Sequence, residues 1–155
     1  MYRKVLVPLD GSELAECTLS HVKHLFKDGS LEEVTLLNVV KVDLPWAAMG
    51  DNAYPVDLDI NAIREPLFLA SRKYLADVES QLVSEGIKVK TESLEGSRPA
   101  DTITEYARKE GMDMIIIGTH GYTGLKKLLL GSVAFGVLHQ SPIPVLLIRP
   151  ESCLP

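Results

Sequence analysis

The stretch Met114-Ile115-Ile116-Ile117-Gly118-Thr119-His120-Gly121, followed nine residues later by Gly131-Ser132-Val133, decides how this chain folds. An unbroken apolar run of this length, stopped by glycine, predicts a strand buried on both faces of a sheet. A helical pattern starts again at Val133. The stretch is therefore a strand-to-helix crossing with glycines at both ends. Such glycines let backbone N–H groups approach an anion without a Cβ in the way. A serine at a helix start adds unpaired N–H donors and the positive end of the helix dipole. Tight turns alone would also use these glycines, and the rest of the chain has to decide between the two readings.

Working outward, Val5-Leu6-Val7-Pro8-Leu9 is a second fully apolar run, broken by Asp10-Gly11-Ser12, with Ser12 placed to cap the next helix. Ala15, Leu19, Val22 and Phe26 form the stripe of that amphipathic helix. Val34 to Val40 predicts the next strand. Lys41 to Glu65, with Pro45, Gly50 and Pro55, predicts a long loop that can hold a short helix. Pro66 suits the first turn of a helix carried by Leu67, Ala70, Tyr74, Val78 and Leu82. Ile87 to Glu92 alternates apolar or β-branched with charged residues, the period of an edge strand whose lysines discourage aberrant pairing. Pro99 opens a helix through Ile103 and Ala107, Val133 to Gln140 is another helix, and Pro144 to Arg149 is the last strand.

Five strands thus alternate with four helices. That order predicts an α/β fold, a five-stranded parallel sheet with right-handed crossovers and helices on both faces. The first and fourth strands are the most apolar and are expected to be central neighbours. The turns after them, at Asp10 and Gly118, would then meet at the carboxyl edge where strand order reverses, the place such folds bind ligands.

Composition sets the outer limits. At 155 residues the chain predicts one domain spanning 1–155. Its 46% apolar and 24% charged residues are those of a soluble globular protein, and a net charge of -5 argues against a non-specific nucleic-acid binder. Two cysteines, Cys17 and Cys153, are too few for a disulfide framework and predict a reducing, cytoplasmic compartment. Neither a signal peptide nor a membrane span is expected.

Several phosphate and nucleophile motifs are absent. Gly124 and Gly131 are followed by Leu125 and Ser132, not by the lysine of a Walker loop, and Asp10-Gly11-Ser12-Glu13 supplies a single glycine where a dinucleotide fingerprint needs three. No G-x-S-x-G elbow occurs, and the ends of the strands lack the Asp and Lys pattern of a response regulator. What is present is Val7-Pro8-Leu9-Asp10-Gly11-Ser12-Glu13 together with Gly118-x2-Gly121-x9-Gly131-Ser132. This pairing resembles the universal stress protein family, and in particular its ATP-binding branch, whose signature is G-x2-G-x9-G-[ST]. The resemblance covers essentially the whole chain, including Leu36-Leu37-Asn38-Val39-Val40 and Pro142 to Leu147. Gly96-Ser97-Arg98-Pro99 departs from it, since the family more often has one residue between glycine and proline.

The resemblance implies a Rossmann-like, adenine nucleotide alpha hydrolase-like sheet in strand order 3-2-1-4-5. It implies that Asp10 faces the ribose or a phosphate-bound Mg2+, that Pro8 and Leu9 line the cleft, and that Val39 lies beside the adenine. Gly118, Thr119, His120 and Gly121 would wrap ribose and phosphate, and Gly131, Ser132, Val133 and Ala134 would cradle the phosphates. It also implies a homodimer formed through the last strand, Val145 to Ile148. The expected function is an ATP-binding regulatory or signalling module in stress response, binding ATP (or AMP or ADP), with a regulatory protein partner. A slow ATP hydrolase using the same cleft and a nucleotide-free interaction module are the alternatives. Catalysis would need a base or water-positioning group, for which the motif offers only His120 and Asp10.

Other residues have plainer readings beside the functional one. Asp10 can cap a turn, His120 can position backbone, and Lys126 and Lys127 can be solvated rather than steer phosphate. Glu13, Cys17 and His21 share a helix face at metal-compatible spacing, but a fourth ligand is missing and an exposed polar face is the better reading. Leu125, Leu128, Leu129 and Leu130 read as local packing of the crossing.

Overall fold

The apolar runs form the strands of a single parallel sheet. A computed structural model describes residues 2–43, 59–119 and 130–149. Strands β1 (Tyr2–Pro8), β2 (Leu31–Val40), β3 (Lys88–Glu95), β4 (Met114–Gly118) and β5 (Val145–Ile148) lie in the order β3-β2-β1-β4-β5. All four strand pairs are parallel, with Val7 opposite Leu36 and Leu6 opposite Ile115. The expected order 3-2-1-4-5 and the central position of β1 beside β4 are both observed.

Alternation along each run sorts its side chains into two cores. Val5, Val7, Leu36 and Ile116 face one way, against Leu19, Val22, Leu75, Val78 and Leu82. Leu6, Leu37, Ile115 and Ile117 face the other way, against Ile103, Ala107, Ala134 and Val137. Both faces of Val5–Pro8 in β1 and of Met114–Ile117 in β4 are therefore dry, which is why these stretches are apolar at every position rather than at every second one. Each fully buried Leu or Ile contributes about 2 kcal/mol relative to exposure.

The helices are α1 (Glu13–Glu16), α2 (Thr18–Lys27), α3 (Ile60–Val83), α4 (Pro99–Lys109) and α5 (Ser132–Gln140). The single helix expected from Ala15 to Phe26 is divided at Cys17, although that residue keeps αR angles (φ -55, ψ -26). Ser12 caps the first segment, its Oγ accepting from Ala15 N at 3.1 Å. Cys17 is disulfide-bonded, and Cys153 lies outside the described residues. A count of two cysteines speaks against a framework of bridges; it does not speak against one bridge.

Helix α3 also departs from expectation. It begins at Ile60, not at Pro66, so that the loop is shorter than the predicted 41–65; residues 44–58 lie outside the described ones. Asp59 supplies the missed start signal, its Oδ1 accepting from Asn61 N at 3.0 Å. Arg64 then ties this first stretch to the end of β3 through a 2.7 Å ion pair with Glu95. Pro66 costs the helix one N–H, that which would reach the Ala62 carbonyl, on a side where both residues are exposed. Water can serve that carbonyl.

Strand β3 is an edge, as its charge alternation predicts, and it runs on to Glu95. Its Lys88 and Lys90 both reach Glu33 on β2, at 2.8 and 2.9 Å, where the Glu33 side chain is only 9% exposed. The two ammonium groups hold this carboxyl below the usual carboxylate range, against the opposing effect of burial. A lowered folded pKa means stability that is fully present above the unfolded value of about 4.3 and lost as pH falls through the folded value. The urea midpoint should therefore fall on acidification below about pH 4 more steeply for the parent protein than for Glu33→Gln. Parallel curves for the two would remove Glu33 from the account.

On the other face, α4 and α5 approach closely because Gly136 lacks a side chain. A Cβ there would stand 2.7 Å from the Ala100 Cβ. Gly136→Ala gains up to ~1 kcal/mol of helix propensity, but two backbone-anchored carbons cannot yield, and overpacking costs ~1–3 kcal/mol. The net expectation is a loss of about 1 kcal/mol in chemical denaturation, relieved when Ala100→Gly is added. A Gly136→Ala protein as stable as the parent would show that the helices separate freely.

Candidate functional site

The chain leaves β1 for β2 on one side and returns through β3 to β4 on the other, so the strand order reverses between β1 and β4. A cleft of about 260 Å3 opens there, at the carboxyl ends of the strands. Of the residues expected at the site, Pro8, Leu9, Asp10, Val39, Gly118, Thr119, Gly131, Ser132, Val133 and Ala134 all line it. His120 and Gly121 lie outside the described residues, as do Leu125, Lys126, Lys127, Leu128 and Leu129. Leu130 packs against the core under α4 and α5.

The turn after β1 is built around Asp10. Its Oδ1 accepts from both Ser12 N (2.9 Å) and Ser12 Oγ (2.5 Å), while Ser12 Oγ accepts from Ala15 N. Gly11 sits at φ +84, a conformation only glycine enters freely. The turn-capping reading of Asp10 is thus correct for one oxygen. Its other oxygen has no part in the turn, and the residue is exposed. Beneath the turn, the Tyr74 hydroxyl of α3 is buried beside Glu16 and the Gly11 backbone. Burial, with the Glu16 and Asp10 charges nearby, pushes its pKa well above the usual value, so it stays a neutral phenol.

The second wall comes from the crossing after β4. Thr119 N donates to Ile148 O at 2.9 Å, and Gly131 N donates to Thr119 O at 2.7 Å. These bonds clamp the two ends of the crossing together and fix where α5 begins. Phe135 N to Gly131 O, at 2.8 Å, is the first bond of that helix, and no side chain among the described residues caps its start. The N–H groups of Ser132, Val133 and Ala134 are thus the orphan donors of a helix N-terminus, and all three residues line the cleft. Gly131 itself has φ -60, a value any residue adopts.

Six lining residues escaped sequence reasoning: Ala15, Leu37, Asn38, Pro99, Ile103 and Ile117. Pro99 and Ile103 were legible in principle, because a helix that comes after a strand starts above the carboxyl edge. Across the altered Gly96-Ser97-Arg98-Pro99 rim, Pro99 still reaches the cleft. Gly96 packs so tightly there that a Cβ would come within van der Waals overlap of Thr102 Oγ1 and 3.2 Å of Val39 Cγ1. Asn38, the polar interruption of β2, donates from Nδ2 to Leu9 O at 2.7 Å and accepts at Oδ1 from Ser71 Oγ at 2.7 Å. Glu13, Cys17 and His21 form no metal-competent group among the described residues.

Chemically, the cleft joins apolar walls to a helix N-terminus and one carboxylate. Asp10 is the only titratable group among the described lining residues. No helix among the described residues is long and apolar enough to cross a membrane.

Comparison with known proteins agrees with this architecture. Universal stress protein MJ0577 of Methanocaldococcus jannaschii is 36% identical, with 96% of each chain covered. Its solved structure superposes with a TM-score of 0.80, again covering 96% of each chain. Universal stress protein YxiE of Bacillus subtilis is 29% identical over 96% of this chain and 100% of its own. An Arabidopsis thaliana universal stress protein family protein, solved with AMP bound, superposes at a TM-score of 0.64 with 17% identity, covering 95% of this chain and 91% of its own, and shares the fold. The Universal stress protein family model matches residues 1–149, and the chain belongs to that family.

Proposed function

We propose that this protein binds an adenine nucleotide, ATP foremost, and acts as a nucleotide-dependent regulatory module rather than as an enzyme. The observation that carries this reading is the uncapped start of α5 opening on the same cleft as Asp10. Three N–H donors and the helix dipole favour an anion there. The conformation of Gly131 does not require glycine, and a side chain at this cleft-lining position would compete with an anion for the cleft. Phosphates fit that space, the apolar walls at Pro8, Val39 and Ile103 suit a base, and the second oxygen of Asp10 suits a ribose hydroxyl or a phosphate-bound Mg2+. The Arabidopsis neighbour shows that this fold accommodates AMP; the assignment here rests on this chain's own residues. A γ-phosphate reaction needs a positioned base or water-orienting group; of the two candidates in the motif, Asp10 gives one oxygen to Ser12 and His120 lies outside the described residues.

Homodimerisation completes the reading. Strand β5 is a sheet edge whose Val145, Leu146 and Leu147 are half-buried, and the neighbouring α5 exposes Phe135 (59%) and Leu138 (48%). An open apolar edge beside exposed apolar side chains is a surface that a second copy would cover.

Two measurements test nucleotide binding. Protein purified without added ligand, then titrated with Mg-ATP, should show an adenine nucleotide by mass spectrometry or a calorimetric binding isotherm; absence of both overturns the reading. Gly131→Leu, compatible with φ -60, should keep the helical circular dichroism and lose at least ~tenfold in affinity, whereas unchanged affinity would place the phosphates elsewhere. For the dimer, light scattering should give twice the monomer mass for the parent and the monomer mass for Phe135→Asp/Leu138→Asp. A monomeric parent protein would refute it.

A further inference from the structure

The ladder between β1 and β2 stops at Pro8 opposite Leu37, and a side chain takes the place of the next rung. Leu9 N donates to Leu37 O at 2.8 Å, so Leu37 turns its backbone polar groups toward β1. Alternate residues of a strand turn the same way, so Val39 does too. The next rung would run from Val39 N–H to the Leu9 carbonyl. Strand pairing instead ends at Pro8 opposite Leu37, and the Leu9 carbonyl accepts from Asn38 Nδ2 at 2.7 Å.

The amide is aimed from behind. Ser71 of α3 donates to Asn38 Oδ1, and Ser71 and Ser93 hydroxyl oxygens are 2.7 Å apart. A hydroxyl has one proton to give. The Ser71 proton goes to Asn38, so Ser93 donates to Ser71, and the chain of donors runs Ser93 to Ser71 to Asn38 to Leu9. A carbonyl can only accept, so this order fixes which end of the Asn38 amide faces Leu9. Ser71 is itself 6% exposed, which makes each of these bonds costly to leave unmade.

We propose that Asn38 is a positioning residue of the cleft: by capping the Leu9 carbonyl it keeps β1 and β2 from closing one rung further and leaves the Val39 peptide open to the bound nucleotide. The ligand half of this statement rests on the nucleotide reading above; the ladder half does not. Amide hydrogen exchange on 15N-labelled protein, combined with calorimetry, separates them. In the parent protein without nucleotide, the Val39 amide should exchange at least ~tenfold faster than Leu37, although both lie within β2, and Mg-ATP should slow it. In Asn38→Leu the rung should close, protecting Val39 without ligand, and Mg-ATP affinity should fall about tenfold. Ser71→Ala, which leaves the amide in place but unaimed, should lose about threefold. If Asn38→Leu fails to fold, Asn38→Leu/Ser71→Ala, which also removes the hydroxyl left without an acceptor, carries both measurements. Val39 protected as well as Leu37 in the unliganded parent, or Asn38→Leu binding Mg-ATP with parent affinity, overturns the proposal. A parent protein that binds no nucleotide sinks the functional reading, while the exchange comparison still decides whether Asn38 holds the ladder open.

Discussion

A strand buried on both faces has to end somewhere, and its last backbone groups still need partners. Strand β1 meets this constraint at Leu9, whose N–H completes the ladder and whose carbonyl is taken by a side chain. The shape of the cleft depends on that ending. Asp10 can leave the sheet because Gly11 turns at positive φ, Ser12 can start a helix because its Oγ serves both Asp10 and Ala15, and the gap left beside β2 becomes the floor of a pocket. The apolar core below supplies rigidity.

Much of this architecture was legible in the sequence because the determining signals are local and redundant. Apolar runs bounded by Asp10 and Gly118 mark two central strands, and the lysines of Lys88 to Lys90 mark an edge. The start of α3 misleads because Pro66 is a strong punctuator and Asp59 a weak one; the proline is tolerated inside the helix, where its lost bond faces water. Cys17 misleads for another reason. Counting cysteines gives a prior on compartment, and it carries no information on the state of any one sulfur.

At the site, sequence motifs find what touches the main chain of the crossing and miss what arrives from elsewhere. Pro99 and Ile103 belong to a helix between β3 and β4, and no spacing links them to Gly118 or Gly131. Asn38 shows only as a polar break in an apolar strand. Its purpose depends on Ser71 and Ser93, which lie 33 and 55 positions further on. Long-range hydrogen bonds of this kind leave no periodic trace.

The clamp between Thr119 and Gly131 has a consequence for how this fold can vary. With one 2.7 Å backbone bond closing the neck, Thr119 and Gly131 hold the start of α5 directly against the end of β4. Closing a longer loop adds only a slowly growing entropic cost, ~0.6 kcal/mol for each doubling in length. A closed neck therefore holds the helix start in place at an entropic cost that depends only weakly on the number of residues between its ends. Donor and acceptor are both main-chain groups, so the neck is constrained by backbone shape and not by the hydrogen-bonding capacity of any side chain.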